Sequence, residues 1–216
     1  MTLTFTDQKK QKISLMVLAI LHLVGMVGLL SPFKPWIMAL TPVHLILCSI
    51  LLLWGVGFKS PAFKWWFILV VLIGYGVEVA GVKTGLIFGQ YHYGETLGFK
   101  IFDVPVIIGL NWFLVSFGAY SLVSRLKSST WIKVVLASLL CVGLDVLIEP
   151  VAINLDYWQW ENGIPIRNYV GWFGVSLIIQ ILAFMAVKNP IKPHPLAVGV
   201  YFIQFAFFLL LNLFAL

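Results

Sequence analysis

The sequence predicts an all-α, polytopic membrane protein: a single integral membrane domain over residues 1–216, crossing the bilayer about seven times. Three observations carry this. Of the 216 residues, 61% are hydrophobic and only 10% charged. The mean hydropathy is +1.02. A soluble domain carries about a quarter charged residues, and a soluble core of this size has no room for so much apolar surface, whereas a bilayer is itself the apolar solvent. The third observation is segmentation. Apolar runs near the roughly 20 residues needed to span a bilayer fall at 13–30, 36–57, 65–81, 104–124, 131–149, 170–187 and 195–216.

Punctuation between the runs agrees. Pro32, Pro35, Pro61, Pro150, Pro190, Pro193 and Pro195 fall between runs or at their ends, where a helix is expected to stop or start. The polar N-terminus and the Ser31-Pro-Phe-Lys-Pro35 sequence after the first run predict no cleavable signal peptide. With the N-terminus cytoplasmic, Lys9, Lys10, Lys12, Lys59, Lys64, Arg125, Lys127, Lys133, Lys188 and Lys192 lie inside, and Lys34, Lys83, Lys100 and Arg167 outside. That distribution follows the positive-inside rule. It also explains the net charge of +6 without nucleic acid, since no basic patch forms. Cys48 and Cys141 lie within apolar runs; they read as small core residues, giving neither a disulfide nor a metal framework.

Two longer connections, about 82–103 and 150–169, fall on the non-cytoplasmic side. They are rich in Gly, Tyr and Trp, and read as lids or re-entrant segments packed over the bundle. Of the eight acidic residues, all but Asp7 fall toward this side. Glu78 ends the third run, Asp103 opens the fourth, and Asp145 and Glu149 close the fifth. An ionised carboxylate in a membrane helix costs a few kcal/mol at least, so such residues usually face the bundle interior and mark function. Ser138, Cys141, Asp145 and Glu149 are spaced by three, four and four and share one helix face. Asp145 and Glu149 are one turn apart; two carboxylates so placed tend to share one proton, a neutral acid beside an ionised base. The competing reading pairs these acids with Lys83, Lys100 or Arg167, or uses them as helix caps. Asp103, Glu95, Asp156 and Glu161 read as surface charges.

No metal site is expected. His22 and His44 lie in apolar runs away from most of the acids, His194 starts a cytoplasmic helix end, and only His92 is near the acids; the short-spaced histidines of a di-iron membrane enzyme are missing. The last run has no lysine for a retinal Schiff base. Beside the acids lie Phe88, Tyr91, Tyr93 and Phe99 in one connection and Tyr157, Trp158, Trp160, Tyr169 and Trp172 in the other. They read either as an interfacial belt or as a wall for a long apolar ligand whose rings face a cation.

The segment Glu78-Val-Ala-Gly-Val-Lys-Thr-Gly-Leu-Ile-Phe-Gly-Gln-Tyr-His-Tyr93, with Leu97-Gly98, Val104-Pro105, Asn111-Trp112, Asp145-Val-Leu-Ile-Glu149-Pro150, Trp158-Gln-Trp160, Ile164-Pro165 and Asn168-Tyr-Val-Gly-Trp172, resembles the carotenoid biosynthesis protein family, that of the membrane carotenoid 1′,2′-hydratases and bisanhydrobacterioruberin hydratase. The resemblance covers about residues 70 to 175. The chain departs at Glu149, where family members often carry Asp, and in a shortened stretch between Trp160 and Pro165. The resemblance implies addition of water across the terminal double bond of an acyclic carotenoid ψ-end. It implies an integral protein of a bacterial or archaeal cell membrane. It further implies a carotenoid substrate within the bilayer, with membrane lipids and either further copies of the chain or other carotenoid-pathway enzymes as expected partners.

That chemistry needs a neutral carboxylic acid to protonate the alkene, negative charge or aromatic faces beside the cation, water and a base, and no cofactor. Asp145 and Glu149 are the expected acid–base pair, with Glu78 as third carboxylate. Asn111 and Asn168 are expected to hold the water, and Tyr91, Tyr93, Trp112, Trp158, Trp160 and Trp172 to line the end-group pocket. Two other readings use the same residues. A carotenoid cyclase quenches the same cation by ring closure. A proton-coupled transporter or lipid-binding protein also employs intramembrane acids, though no inverted repeat supports transport.

Overall fold

The computed structural model describes residues 5–58, 60–185 and 191–214. Among them are eight helices: α1 (Phe5–Leu29), α2 (Lys34–Ala39), α3 (Thr41–Val56), α4 (Pro61–Thr84), α5 (Ile108–Val123), α6 (Thr130–Asn154), α7 (Ile166–Phe184) and α8 (Pro195–Phe214). Four short strands accompany them: β1 (Tyr91–Tyr93), β2 (Lys100–Ile101), β3 (Val104–Pro105) and β4 (Trp158–Trp160). Helices α1, α4, α6, α7 and α8 are long and apolar enough to cross a membrane; α3 and α5 are shorter apolar helices. Lys59, Lys188 and Pro190, used in the orientation and boundary arguments, lie outside the described residues, as do the ends of the runs at 170–187 and 195–216.

Helix α5 is the axis of the bundle. It packs against α4, α6 and α8, and Trp112 through Ser121 are buried without interruption. A helix apolar on every side belongs in an interior. The surrounding helices turn Leu23, Leu72, Leu139, Ile178 and Phe202 outward, each more than half exposed, which is the lipid-facing surface of an integral membrane protein. With 16 residues, α5 reaches only about 24 Å.

Three boundaries differ from the sequence expectation. The run at 36–57 is divided at Leu40 into α2 and α3, because Pro42, in the first turn of α3, has no N–H with which to continue the ladder of α2. The fourth run does not begin at 104: Val104 and Pro105 form β3, and Asp103 sits with Phe102 in the two-residue turn of the β2–β3 hairpin. Both turn residues have positive φ, 67° and 54°, as a tight hairpin of this kind requires. Pro150, expected at a helix end, lies inside α6, which continues to Asn154. The one lost N–H bond is outweighed by the last turn, where Val151 and Ala152 are buried and accept from Leu155 N and Tyr157 N at 2.9 and 2.8 Å.

The two long connections are joined. Strand β1 pairs antiparallel with β4, setting Tyr91 opposite Trp160, His92 opposite Gln159 and Tyr93 opposite Trp158. In a strand alternate residues face the same way. Tyr91, Tyr93 and Trp158 are buried while His92 is exposed, so the ribbon turns its aromatic face into the bundle as a lid.

Candidate active site

Glu78, Asp145 and Glu149 are 4%, 0% and 1% exposed. Among the described residues the acid–base ion pairs are Lys83–Asp103 and Lys100–Glu95, both at the surface, so none of the three buried acids is neutralised by a basic side chain. They are held instead by uncharged donors. Glu78 Oε2 accepts from the hydroxyls of Tyr91 (2.6 Å) and Tyr93 (2.7 Å), and Oε1 from the indole N–H of Trp112 (2.9 Å). Burial and the nearby Glu78 push both phenols well above their ordinary pKa, so they remain donors. Three donors and no acceptor suit an acceptor-only carboxylate.

Glu149 is held in the same manner from the other strand of the lid. Its Oε2 accepts from Trp158 Nε1 at 3.0 Å and Trp160 Nε1 at 2.8 Å. The cross-strand pairs thus divide the labour: the tyrosines of β1 bind one glutamate, the tryptophans of β4 the other. Glu149 Oε1 accepts from Asn168 Nδ2 at 2.9 Å, and the same nitrogen donates to Asp145 Oδ2 at 2.8 Å. Asn168, in the first turn of α7, therefore bridges the two acids of α6 whose spacing put them on one face. Asp145 Oδ1 is buried with no hydrogen-bond partner among the described residues.

Two features were not foreseen. Trp112 and Trp172 stack face to face, centroids 3.9 Å apart and planes 16° off parallel, forming an aromatic floor. Gly74 makes room for it: a Cβ there would lie 2.5 Å from Trp112 Cγ. Gly74, Glu78 and Gly81, spaced by four and three, lie on one face of α4, and this pair of small residues flanking an intramembrane acid was the available signal.

Between the two glutamates is a cavity of about 20 Å³, room for one water molecule. Glu78 and Glu149 both line it, with Tyr91, Tyr93, Trp158 and Trp160 from the lid; Phe88, Ile108, Asn111, Asn168 and Trp172 complete its wall. Asp145 and Trp112 are not in that lining: Trp112 donates to Glu78, and Asp145 is joined to Glu149 only through Asn168. A second cavity, about 220 Å³ and mainly apolar, lies between α1, α2, α3 and α8, and shares Ile108, Asn111 and Trp158 with the first.

His22, His44 and Cys48 line this larger cavity. Their placement bears on two expectations. The histidines, expected away from most of the acids, share this cavity's wall with Trp158, whose indole donates to Glu149. Cys48 is not an isolated core thiol: its ligating atom and those of both histidines lie within 4.8 Å of one another, an arrangement able to hold a metal ion. Only packing of separate helices brings these three together. His92, by contrast, points away from the acids.

Fold and site define an integral helical membrane protein with a lidded cluster of buried carboxylates beside an apolar cavity. The family described as "Carotenoid biosynthesis protein" matches residues 40–216, and the chain belongs to that family. Bisanhydrobacterioruberin hydratase of Haloarcula japonica is 30% identical over 126 residues, 54% of this chain and 43% of that protein. The match thus spans less than half the length of that relative. No solved structure matches the chain.

Proposed function

We propose that the protein is a carotenoid hydratase, a cofactor-independent hydro-lyase that adds water to the terminal double bond of an acyclic ψ-end. The observation that carries this is the water-sized cavity between Glu78 and Glu149, sharing a wall with a large apolar cavity. The end of a polyene in the larger cavity reaches the acids past Ile108, Asn111 and Trp158. The family membership and the name of the Haloarcula relative support the same reading.

In this mechanism the Asp145–Glu149 pair holds one proton, as close carboxylates do, and Glu149, which faces the small cavity, delivers it to the CH carbon of the terminal double bond. Asp145 is a positioning residue acting through Glu149 and Asn168. The charge left on the tertiary carbon is stabilised by Glu78 and by the face of Trp172, backed by Trp112. Water held between Asn111 and Asn168 attacks that carbon and gives its proton to Glu78. One C=C bond is lost, one water is gained, and the proton on Glu78 returns to the acid pair before the next turnover. The same reading has α2–α3 and α5 complete seven crossings, with the N-terminus cytoplasmic and the lid on the opposite face, as the distribution of Lys and Arg supports.

The test is pigment analysis after expression in a lycopene-producing host. Hydration raises the carotenoid mass by one water per reacted end. A product of unchanged mass establishes ring closure instead, and full turnover by both Asp145→Asn and Glu149→Gln overturns the acid–base assignment.

A further inference from the structure

We propose that His22, His44 and Cys48 bind one thiophilic d10 metal ion, Zn2+ or Cu+, that clamps α1 to α3 in the wall of the large cavity. The three ligating atoms lie within 4.8 Å of one another, and the finer geometry fits. His44 Nε2 is 3.4 Å from Cys48 Sγ. An ion with bonds of about 2.0 Å to nitrogen and 2.3 Å to sulfur at a tetrahedral angle places those atoms about 3.5 Å apart. The imidazole centroids of His22 and His44 are 4.6 Å apart, near enough for both rings to reach one ion.

The tautomer is prepared as well. His22 Nδ1 lies 2.8 Å from the carbonyl oxygen of Leu18. A carbonyl only accepts, so Nδ1 carries the proton and Nε2 keeps its lone pair. This is the outer hydrogen bond that metal-binding histidines make. A fourth position opens on the cavity, where Gln204 is 4% exposed and its Oε1 has no partner among the described residues; that oxygen is an acceptor for a water on the ion. Imidazole and thiolate together select Zn2+ or Cu+ over hard cations. Binding displaces the Cys48 proton to solvent, one per ion, and the thiolate offsets the charge of the ion in apolar surroundings. The three ligands line the large cavity and not the small one, so the ion takes no part in the proton transfers proposed above.

The experiment uses the full-length chain in detergent, stripped with chelator. Titration with Co2+, the optical stand-in for Zn2+, is expected to give a near-ultraviolet sulfur-to-cobalt band saturating at one equivalent; competition against a Cu+ chelator tests the second ion. Cys48→Ser abolishes the band. His22→Gln and His44→Gln each weaken binding by at least the roughly 10–100-fold that loss of an outer hydrogen-bond partner costs. Cys141→Ser, a thiol buried in α6 beside Gln180, leaves the band unchanged. His44→Cys retains the ion and intensifies the band, which decides the matter should Cys48→Ser fail to fold. Uptake of neither ion at one equivalent overturns the proposal, as does wild-type affinity in Cys48→Ser and both glutamine variants, or a His44→Cys protein without a stronger band. The readout is optical, so it stands or falls separately from hydration.

Discussion

Glu149→Gln separates catalysis from folding, because it keeps the shape of the side chain and removes only its ability to hold and deliver a proton. Three donors converge on Glu149: Trp158 and Trp160 on Oε2 and Asn168 on Oε1. A glutamine whose oxygen takes the Oε2 position keeps both indole bonds, and its amide nitrogen then meets the amide nitrogen of Asn168. One accepted hydrogen bond is exchanged for a donor facing a donor, a cost of about 1–3 kcal/mol. That is smaller than the roughly 5–15 kcal/mol by which native proteins are stable, so the variant is expected to fold with a lowered melting temperature in detergent. Loss of a positioned proton donor reduces turnover about 10²–10⁴-fold, equivalent to about 3–5 kcal/mol of barrier. The assay is the ratio of hydrated to unreacted carotenoid in cells with matched protein levels, with melting followed in parallel. Wild-type hydration by a folded Glu149→Gln protein refutes the reasoning. A variant that does not fold refutes the bond accounting.

Other perturbations follow from the same geometry. Tyr91→Phe and Tyr93→Phe each leave Glu78 with two of its three donors, so each single variant is expected to hydrate at a rate within about tenfold of wild type. The double variant falls further than the product of the two, because removing both leaves Oε2 buried without a partner; strict additivity in pigment ratios argues against a shared role. Gly74→Ala drives a methyl against the Trp112 indole, costing about 1–3 kcal/mol of overpacking and disturbing its bond to Glu78; a lowered melting temperature together with reduced hydration is expected, and an unchanged protein contradicts the close contact. Gly25 lines the large cavity, and a Cβ there would meet Phe207 at an ordinary 3.7 Å. Gly25→Ala is therefore expected to be tolerated, while Gly25→Leu fills cavity volume and lowers hydration without loss of folded protein; equal activity of the two separates the cavity from the polyene.

The sequence determined the membrane class, the apolar runs, the stripe carrying Asp145 and Glu149, and the aromatic character of the two long connections, because each is a property of composition or of spacing along one helix. The family, too, was legible in its motifs. What the sequence withheld depends on segments far apart in the chain. The division of the run at 36–57 and the passage of α6 through Pro150 turn on whether tertiary packing compensates a missing backbone bond. The pairing of β1 with β4, which aims two phenols at Glu78 and two indoles at Glu149, joins connections about 65 residues apart and leaves no local mark. The stack of Trp112 on Trp172, the water-sized cavity between the glutamates and the meeting of His22 with His44 and Cys48 are of the same kind. Helical periodicity says which residues share a face, but only the packing of one helix on another decides what that face meets.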